Sequence, residues 1–194
     1  LLPDAEDSYA KMDAAMADPC ESRLWTPNNA LLSEQERAEG FVSLFDGKTL
    51  DGWWVAGPNK NGFRVNDGAI EWVATGGEML LTRERYDNFV LRLDWRINKG
   101  GNSGVFIRAP RSNRASKIGM EIQIMGDAGS TPVKDTTGAV YDVVPPRVNA
   151  GNPAMEWNQY EITVNGPNLK IVLNGQVVQD LNLDENEELR PRLR

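Results

Sequence analysis

The side chains best suited to chemistry recur at every second position inside three apolar runs: Arg92, Asp94, Arg96, Arg108, Glu121 and Gln123. The runs are NFVLRLDWRI from Asn88, SGVFIR from Ser103 and IGMEIQIM from Ile118. Side chains alternate faces along a strand. Phe89, Leu91, Leu93, Trp95 and Ile97 therefore face one way, and Val90, Arg92, Asp94 and Arg96 the other. Val105 and Ile107 alternate with Phe106 and Arg108 in the same manner, and Ile118, Met120, Ile122 and Ile124 oppose Glu121 and Gln123. If the three runs lie side by side in one sheet, the polar set forms a single working surface on an apolar support. The plainer alternative is the solvated face of an antiparallel sheet, which alternates in the same way. Arg, Asp, Glu and Gln mixed with aromatics, in place of Thr and Lys, favour a surface for hydroxyl-rich ligands. The 194 residues include no histidine. Ser-His-Asp and Cys-His catalysis and the usual His-based zinc sites are thereby excluded from the chain, and acid–base work falls to Asp, Glu, Lys or Tyr.

The elements that must hold these residues are short strands. Residues 1–40 read differently from the rest: Ala5 to Ala17 predicts a helix ending before Pro19. A second short helix is predicted around Ser33 to Glu39, where Ser33 and Glu36 have capping-box spacing and Gly40 supplies the stop. This region is expected to be an N-terminal extension. From Phe41 the period changes to two. Phe41–Phe45, Leu50–Val55, Phe63–Val65, Ala69–Val73 and Glu78–Thr82 are expected strands, with Asn66-Asp67-Gly68 a strong hairpin signal. Gly57-Pro58-Asn59 marks a loop. After Met125 come a long loop to Thr137, the segment Gly138–Asp142, and a Pro-rich loop to Pro153, a length more often functional than idle. Trp157–Val164, Leu169–Leu173 and Gln176–Asp180 complete roughly ten strands at about 8–12-residue spacing, the pattern of a sandwich or barrel.

Composition limits the partners. Charged residues are 25% and apolar residues 40% of the chain, the balance of a globular domain with a real core. The net charge is -7 without a basic block, which argues against nucleic acid and offers an anionic membrane nothing. Cys20 is the only cysteine, so neither an intrachain disulfide nor a thiolate metal cluster is available. Ala17-Asp18-Pro19 before it is not the apolar run a lipid anchor would follow. No stretch reads as a signal peptide or membrane span, while Leu1 in place of Met suits a trimmed leader.

Several ordered motifs carry a resemblance. LFDGKTLDGW from Leu44, GNSGVFIR from Gly101 and GMEIQI from Gly119 are followed by TGAVYD from Thr137, Glu156-Trp157-Asn158 and Leu173-Asn174-Gly175. Over about residues 41–183 the chain resembles the 3-keto-disaccharide hydrolase family. The resemblance implies an all-β fold, a concanavalin A-like jelly-roll sandwich of two antiparallel sheets with a ligand groove on one concave face. The short helical extension over 1–40 would precede a jelly-roll domain over 41–194. It implies cleavage of glycosides oxidised to a ketone at carbon 3, a carbohydrate ligand, and a bacterial periplasmic or extracellular setting. By position it places Arg96, Asn102, Arg108, Glu121 and Gln123 on the concave face and Trp53 at the rim. Two departures stand out. Family members usually end in a strand with a Gln-Asp-His-Gly-like segment, which is not found before Arg194, so the domain is expected to lack its last strand. Gly126-Asp127 stands where an Asp often follows the strand directly, which argues against Asp127 as a ligand group.

A ketone at carbon 3 acidifies the hydrogen at carbon 2. A base that removes it expels the substituent at carbon 1, and water then adds back. That route needs one base and a group to stabilise the enolate oxygen, not the two opposed carboxylates of ordinary glycosidases. Glu121 is the expected base, Arg108 or Arg96 the expected stabiliser, and Gln123 and Asn102 orient hydroxyls. A divalent metal could serve the enolate instead, a possible cofactor for which the sequence holds no clear motif. The plainer alternatives are a cross-strand ion pair between Glu121 and Arg108, a turn role for Asn102 and a core role for Trp53. The competing function is a carbohydrate-binding module without turnover, since fold does not fix function.

Overall fold

A computed structural model of the chain describes residues 29–56, 60–75, 77–109 and 118–193. The helix expected over Ala5–Ala17, Cys20 and the loop at Gly57-Pro58-Asn59 lie outside these residues. The chain divides into two compact units, Leu1–Arg85 and Tyr86–Arg194.

In the first unit the predicted capping box is present. Ser33 Oγ accepts the Glu36 N–H at 3.1 Å, Glu36 accepts the Ser33 N–H at 2.9 Å, and helix α1 (Glu34–Ala38) follows. Gly40, at φ 86°, takes the left-handed stop that a side chain disfavours. Strand β1 (Trp53–Ala56) pairs antiparallel with β4 (Met79–Thr82), and β2 (Phe63–Asn66) with β3 (Ala69–Trp72). The β2–β3 turn places Asp67 and Gly68 at φ 49° and 70°, the positive angles a two-residue hairpin loop requires. Phe41–Phe45 is a correction, because it forms no strand. Its polar groups turn to local partners instead: the Phe41 N–H donates to Glu36 O, the Ser43 N–H to Asn29 Oδ1, and Ser43 Oγ to Phe45 O.

The second unit holds β5 (Phe89–Trp95), β6 (Asn102–Ile107), β7 (Met120–Met125), β8 (Asn158–Asn165), β9 (Asn168–Leu173) and β10 (Gln176–Asn182). Four of these form a sheet in the order β10-β9-β8-β5, and β6 pairs with β7. Their apolar faces meet in one core that includes Trp95, Ile122, Tyr160, Ile162, Ile171 and Leu173. Within it the Tyr160 hydroxyl donates to Gln123 O at 2.7 Å, a hydrogen bond from the four-stranded sheet to β7. Burial drives the Tyr160 pKa far up, so the phenol stays a neutral donor. The fold class is the expected one, an all-β jelly-roll sandwich of antiparallel sheets.

The expected single polar surface is divided. β5 does not lie beside β6 and β7; it pairs with β8 from Phe89↔Val164 to Trp95↔Asn158. Arg92 therefore meets Glu161 at 2.8 Å, and Asp94 accepts from Gln159 at 3.3 Å. Alternation fixes which residues share a face of their own strand, but the partner is chosen by complementary neighbours. For β5 these are the Glu161 carboxylate on one face and Tyr160 and Ile162 on the other.

Candidate functional site

Glu121 sits in β7 opposite Phe106 of β6. On the other edge of β7 an antiparallel bridge joins Ile122 to Val140. It is flanked by the Tyr141 N–H donating to Glu121 O at 2.9 Å and the Gln123 N–H donating to Ala139 O at 3.0 Å. Directly opposed residues share a face. One row across this face is thus Phe106, Glu121, Tyr141, and the next is Gly104, Gln123, Ala139.

Glu121 leans over Gly104. A Cβ at position 104 would stand 2.7 Å from Glu121 Cγ, 2.9 Å from Cδ and closer still to Oε1. Only a glycine leaves that space, a reason for glycine inside a strand that packing alone would not give. The carboxylate makes no hydrogen bond or ion pair with any described residue, and desolvation raises its pKa above the ordinary value of 4.5. The cross-strand ion pair with Arg108 does not form.

Gln123 is 1% exposed, and both its amide nitrogen and oxygen are buried without a partner. Its backbone is fully engaged: the carbonyl accepts from Gly138 at 3.0 Å and from Tyr160, and the N–H donates to Ala139. An unmatched buried amide costs about 1–3 kcal/mol. Such a group, on a fixed backbone and beside small neighbours, is suited to a polar ligand or a bound water.

The other expected site residues stand elsewhere. Arg108 follows β6 at φ 48°, which takes it out of the strand alternation. Its guanidinium donates to Gly166 O at 2.6 Å and lies 3.7 Å from Asp87, with Nε buried and unpaired. Arg96 stacks on the ring of Trp157 at 4.7 Å, and Trp157 is 49% exposed. Asn102 is exposed, opposite Met125. Trp53 lies on β1 in the first unit, its indole N–H donating to Leu44 O at 2.6 Å. Asp127, doubted as a ligand group, accepts from the Thr137 hydroxyl at 2.7 Å and from the Thr137 N–H and Ser130 hydroxyl at 3.2 Å. It fastens the loop after β7. Gly104 and Tyr141 are the neighbours of Glu121 that sequence reasoning left out. Their signals were a glycine inside an apolar strand and a tyrosine in the TGAVYD motif.

Among the described residues no group of three or more acidic or thiol side chains gathers at one point. Glu121 and Gln123 would offer a cation few protein oxygens. No described helix is long and apolar enough to cross a membrane.

The pattern of the 3-keto-alpha-glucoside-1,2-lyase-like domain matches residues 40–192. The chain belongs to this family. A 3-keto-disaccharide hydrolase of Bacteroides thetaiotaomicron is 27% identical over 176 residues, 77% of this chain and 58% of that protein. The chain thus spans little more than half the length of that relative. A solved structure from Parabacteroides distasonis, provisionally described as a glycosyl hydrolase, is 28% identical with a TM-score of 0.71, over 84% of this chain and 80% of that one. A second from the same organism, described likewise, is 25% identical with a TM-score of 0.56, over 69% and 73%.

Proposed function

We propose that this 3-keto-α-glucoside-1,2-lyase-like chain cleaves glycosides of 3-keto sugars by elimination, followed by hydration, with Glu121 as the base. The observation that carries the reading is the Glu121 carboxylate: partly buried, without a hydrogen bond or ion pair to any described residue, seated over Gly104, and with its pKa raised by desolvation. An unpaired carboxylate in that setting is a stronger proton acceptor than one held by an arginine.

In this mechanism Glu121 takes the proton from carbon 2, the C–H electron pair forms the carbon 2–carbon 3 double bond, and the carbonyl π pair moves onto the carbon 3 oxygen as an enolate. As the carbonyl re-forms, the carbon 2–carbon 3 pair moves to form the carbon 1–carbon 2 double bond, and the carbon 1–oxygen bond breaks, its electrons leaving with the departing oxygen, which takes a proton from solvent. Water then adds its hydroxyl to carbon 1 and returns its other proton to solvent, while carbon 2 regains a proton from Glu121. The net result is hydrolysis. The amide of Gln123, two residues along the same strand face, is the proposed donor to a sugar oxygen, reached when the side chain turns out of its buried position. Arg108 and Arg96, the sequence-based candidates for the enolate, are engaged by Gly166 with Asp87 and by Trp157. Asn102 and Trp53 remain proposed sugar contacts, and export to the periplasm or cell exterior belongs to the same proposal, to be checked by fractionation.

The test is turnover of a synthetic 3-keto-disaccharide by the purified chain, followed by release of the reducing sugar. Glu121→Gln should lower kcat by about 100-fold or more, the usual share of a general base, with an unchanged circular dichroism spectrum. Full activity in that variant would remove Glu121 as base. Binding of the sugar by the wild type without any turnover would make the chain a carbohydrate-binding module.

A further inference from the structure

The unit Tyr86–Arg194 has two outer faces with the core between them. Ile122 of β7 and Tyr160 of β8 both point into that core, so the side chains next to them in sequence point away from it, on opposite sides. Glu121 lies on the outer face of the β6–β7 pair. The outer face of the four-stranded sheet carries Arg92 opposite Glu161 and Asp94 opposite Gln159. Arg96 and Trp157 extend this ladder by one step past Trp95↔Asn158; both are exposed, and the guanidinium sits 4.7 Å from the ring centre. Trp157 and Glu121 therefore cannot touch one ligand ring, and any ligand on Trp157 occupies a separate site.

The loop that presents Trp157 is fixed by side-chain amides. Asn152 Nδ2 donates to Trp157 O at 2.8 Å, and the Asn152 N–H donates to Asn158 Oδ1 at 2.8 Å. Asn174 Nδ2 donates to the same Asn158 oxygen and to Ala150 O, both at 2.8 Å. The Met155 N–H donates to Ile97 O at 2.9 Å, which joins the loop to the chain just after β5. Asn158 is buried, whereas the tryptophan it helps to hold is half-exposed. A large apolar ring kept at the surface by a buried polar clamp adds little to the core. It suits recognition, since binding residues sit on loops positioned by a rigid scaffold.

The groups around the ring select the ligand. Arg96 brings five N–H donors and makes no ion pair with any described residue, while Asp94 and Gln159 share a single hydrogen bond at 3.3 Å and keep further bonding capacity. An aromatic plane beside planar hydrogen-bonding groups matches a pyranose ring, which has C–H faces and a rim of hydroxyls. Asp94, Glu156 and Glu161 and the net charge of -7 oppose a polyanion. From Trp157 to Glu161 the chain advances four residues, about 13 Å along the sheet, longer than one sugar ring. β-Linked glucose units form such an extended chain and show C–H on both ring faces. We infer that the outer face of the four-stranded sheet, centred on Trp157 and Arg96, is a second carbohydrate site, which binds an extended β-linked glucan without cleaving it. It is independent of the Glu121 reading, because the two faces share no residue.

The experiment is affinity electrophoresis of the purified chain in native gels with and without a soluble mixed-linkage β-glucan. The glucan should retard the wild type, and should retard Glu121→Gln to the same extent. Trp157→Ala should weaken binding about tenfold or more, as loss of a central aromatic anchor does. Arg96→Gln, at an exposed position, should weaken it as well and serves alone if circular dichroism shows Trp157→Ala unfolded. No retardation of the wild type would overturn the site, and so would full retardation of the folded variants. Retardation lost in Glu121→Gln but kept in Trp157→Ala would move the glucan to the other face and overturn it too. A wild type that ignores the glucan yet forms a dimer in analytical ultracentrifugation, lost in Trp157→Ala, would make this a protein-contact surface instead.

Discussion

Gly104 shows how a single missing Cβ can set a catalytic geometry. Its φ is not in the left-handed region, so alanine is sterically acceptable to the backbone there. The obstacle is the Glu121 side chain, which a methyl group would meet at Cγ, Cδ and Oε1. These atoms end a flexible side chain, so the carboxylate moves and the strand stays. Gly104→Ala should cost about 1 kcal/mol or less in stability, the low end for an added methyl. Its kcat should fall about 100-fold, as expected when a reacting group is misplaced by about an ångström. Turnover and thermal melting measured on one preparation decide it: wild-type kcat in a folded Gly104→Ala protein would mean that the present seat of Glu121 is unimportant.

The strand ends are governed by backbone fit instead. Gly126, just after β7, accepts from the Gly100 N–H and donates to Gly101 O, both at 2.9 Å. A Cβ at 126 would stand 2.7 Å from Gly100 N, 2.9 Å from Asn98 C and closer still to Asn98 O. All three are main-chain atoms and cannot swing away. Gly126→Ala should therefore destabilise the protein by about 3 kcal/mol, the upper end of overpacking costs, and a urea midpoint equal to wild type would contradict that. This contact also shows what the sequence could reveal. The hairpin at Asp67-Gly68, the turn at Asn174-Gly175 and the capping box at Ser33 are local, and each was legible from a few neighbouring residues. The apolar face of each strand was legible as well. Strand partnership was not, because it depends on residues far apart in sequence: Arg92 with Glu161, and Tyr160 with the carbonyl of Gln123. The candidate site divides along the same line. Glu121 and Gln123 could be read from alternation on one strand. Gly104 and Tyr141 could be placed beside Glu121 only once the registers of β6 and the 138–144 segment were known.

At the scale of the whole molecule, Glu121 links the site to folding. Its pKa is raised in the folded state by desolvation, so between the unfolded and folded values the native chain binds more protons than the unfolded one. Stability then falls as pH rises across that window. Below the ordinary value of 4.5 both states are protonated and the group costs nothing. Above the raised value both are ionised, and the full desolvation penalty is present. Glu121→Gln removes the ionisation and leaves the other carboxylates untouched, so their contributions cancel when variant and wild type are compared at one pH. A buried glutamine amide can carry its own unmet hydrogen bonds, but that cost does not vary with pH. The informative quantity is therefore the change in the Tm difference, Glu121→Gln minus wild type, between about pH 4 and pH 8. It should become more positive as pH rises and level off once the wild-type carboxylate is ionised. A difference that stays flat, or moves the other way, would mean that the folded chain supplies Glu121 with a stabilising partner, and the unpaired base would be lost with it.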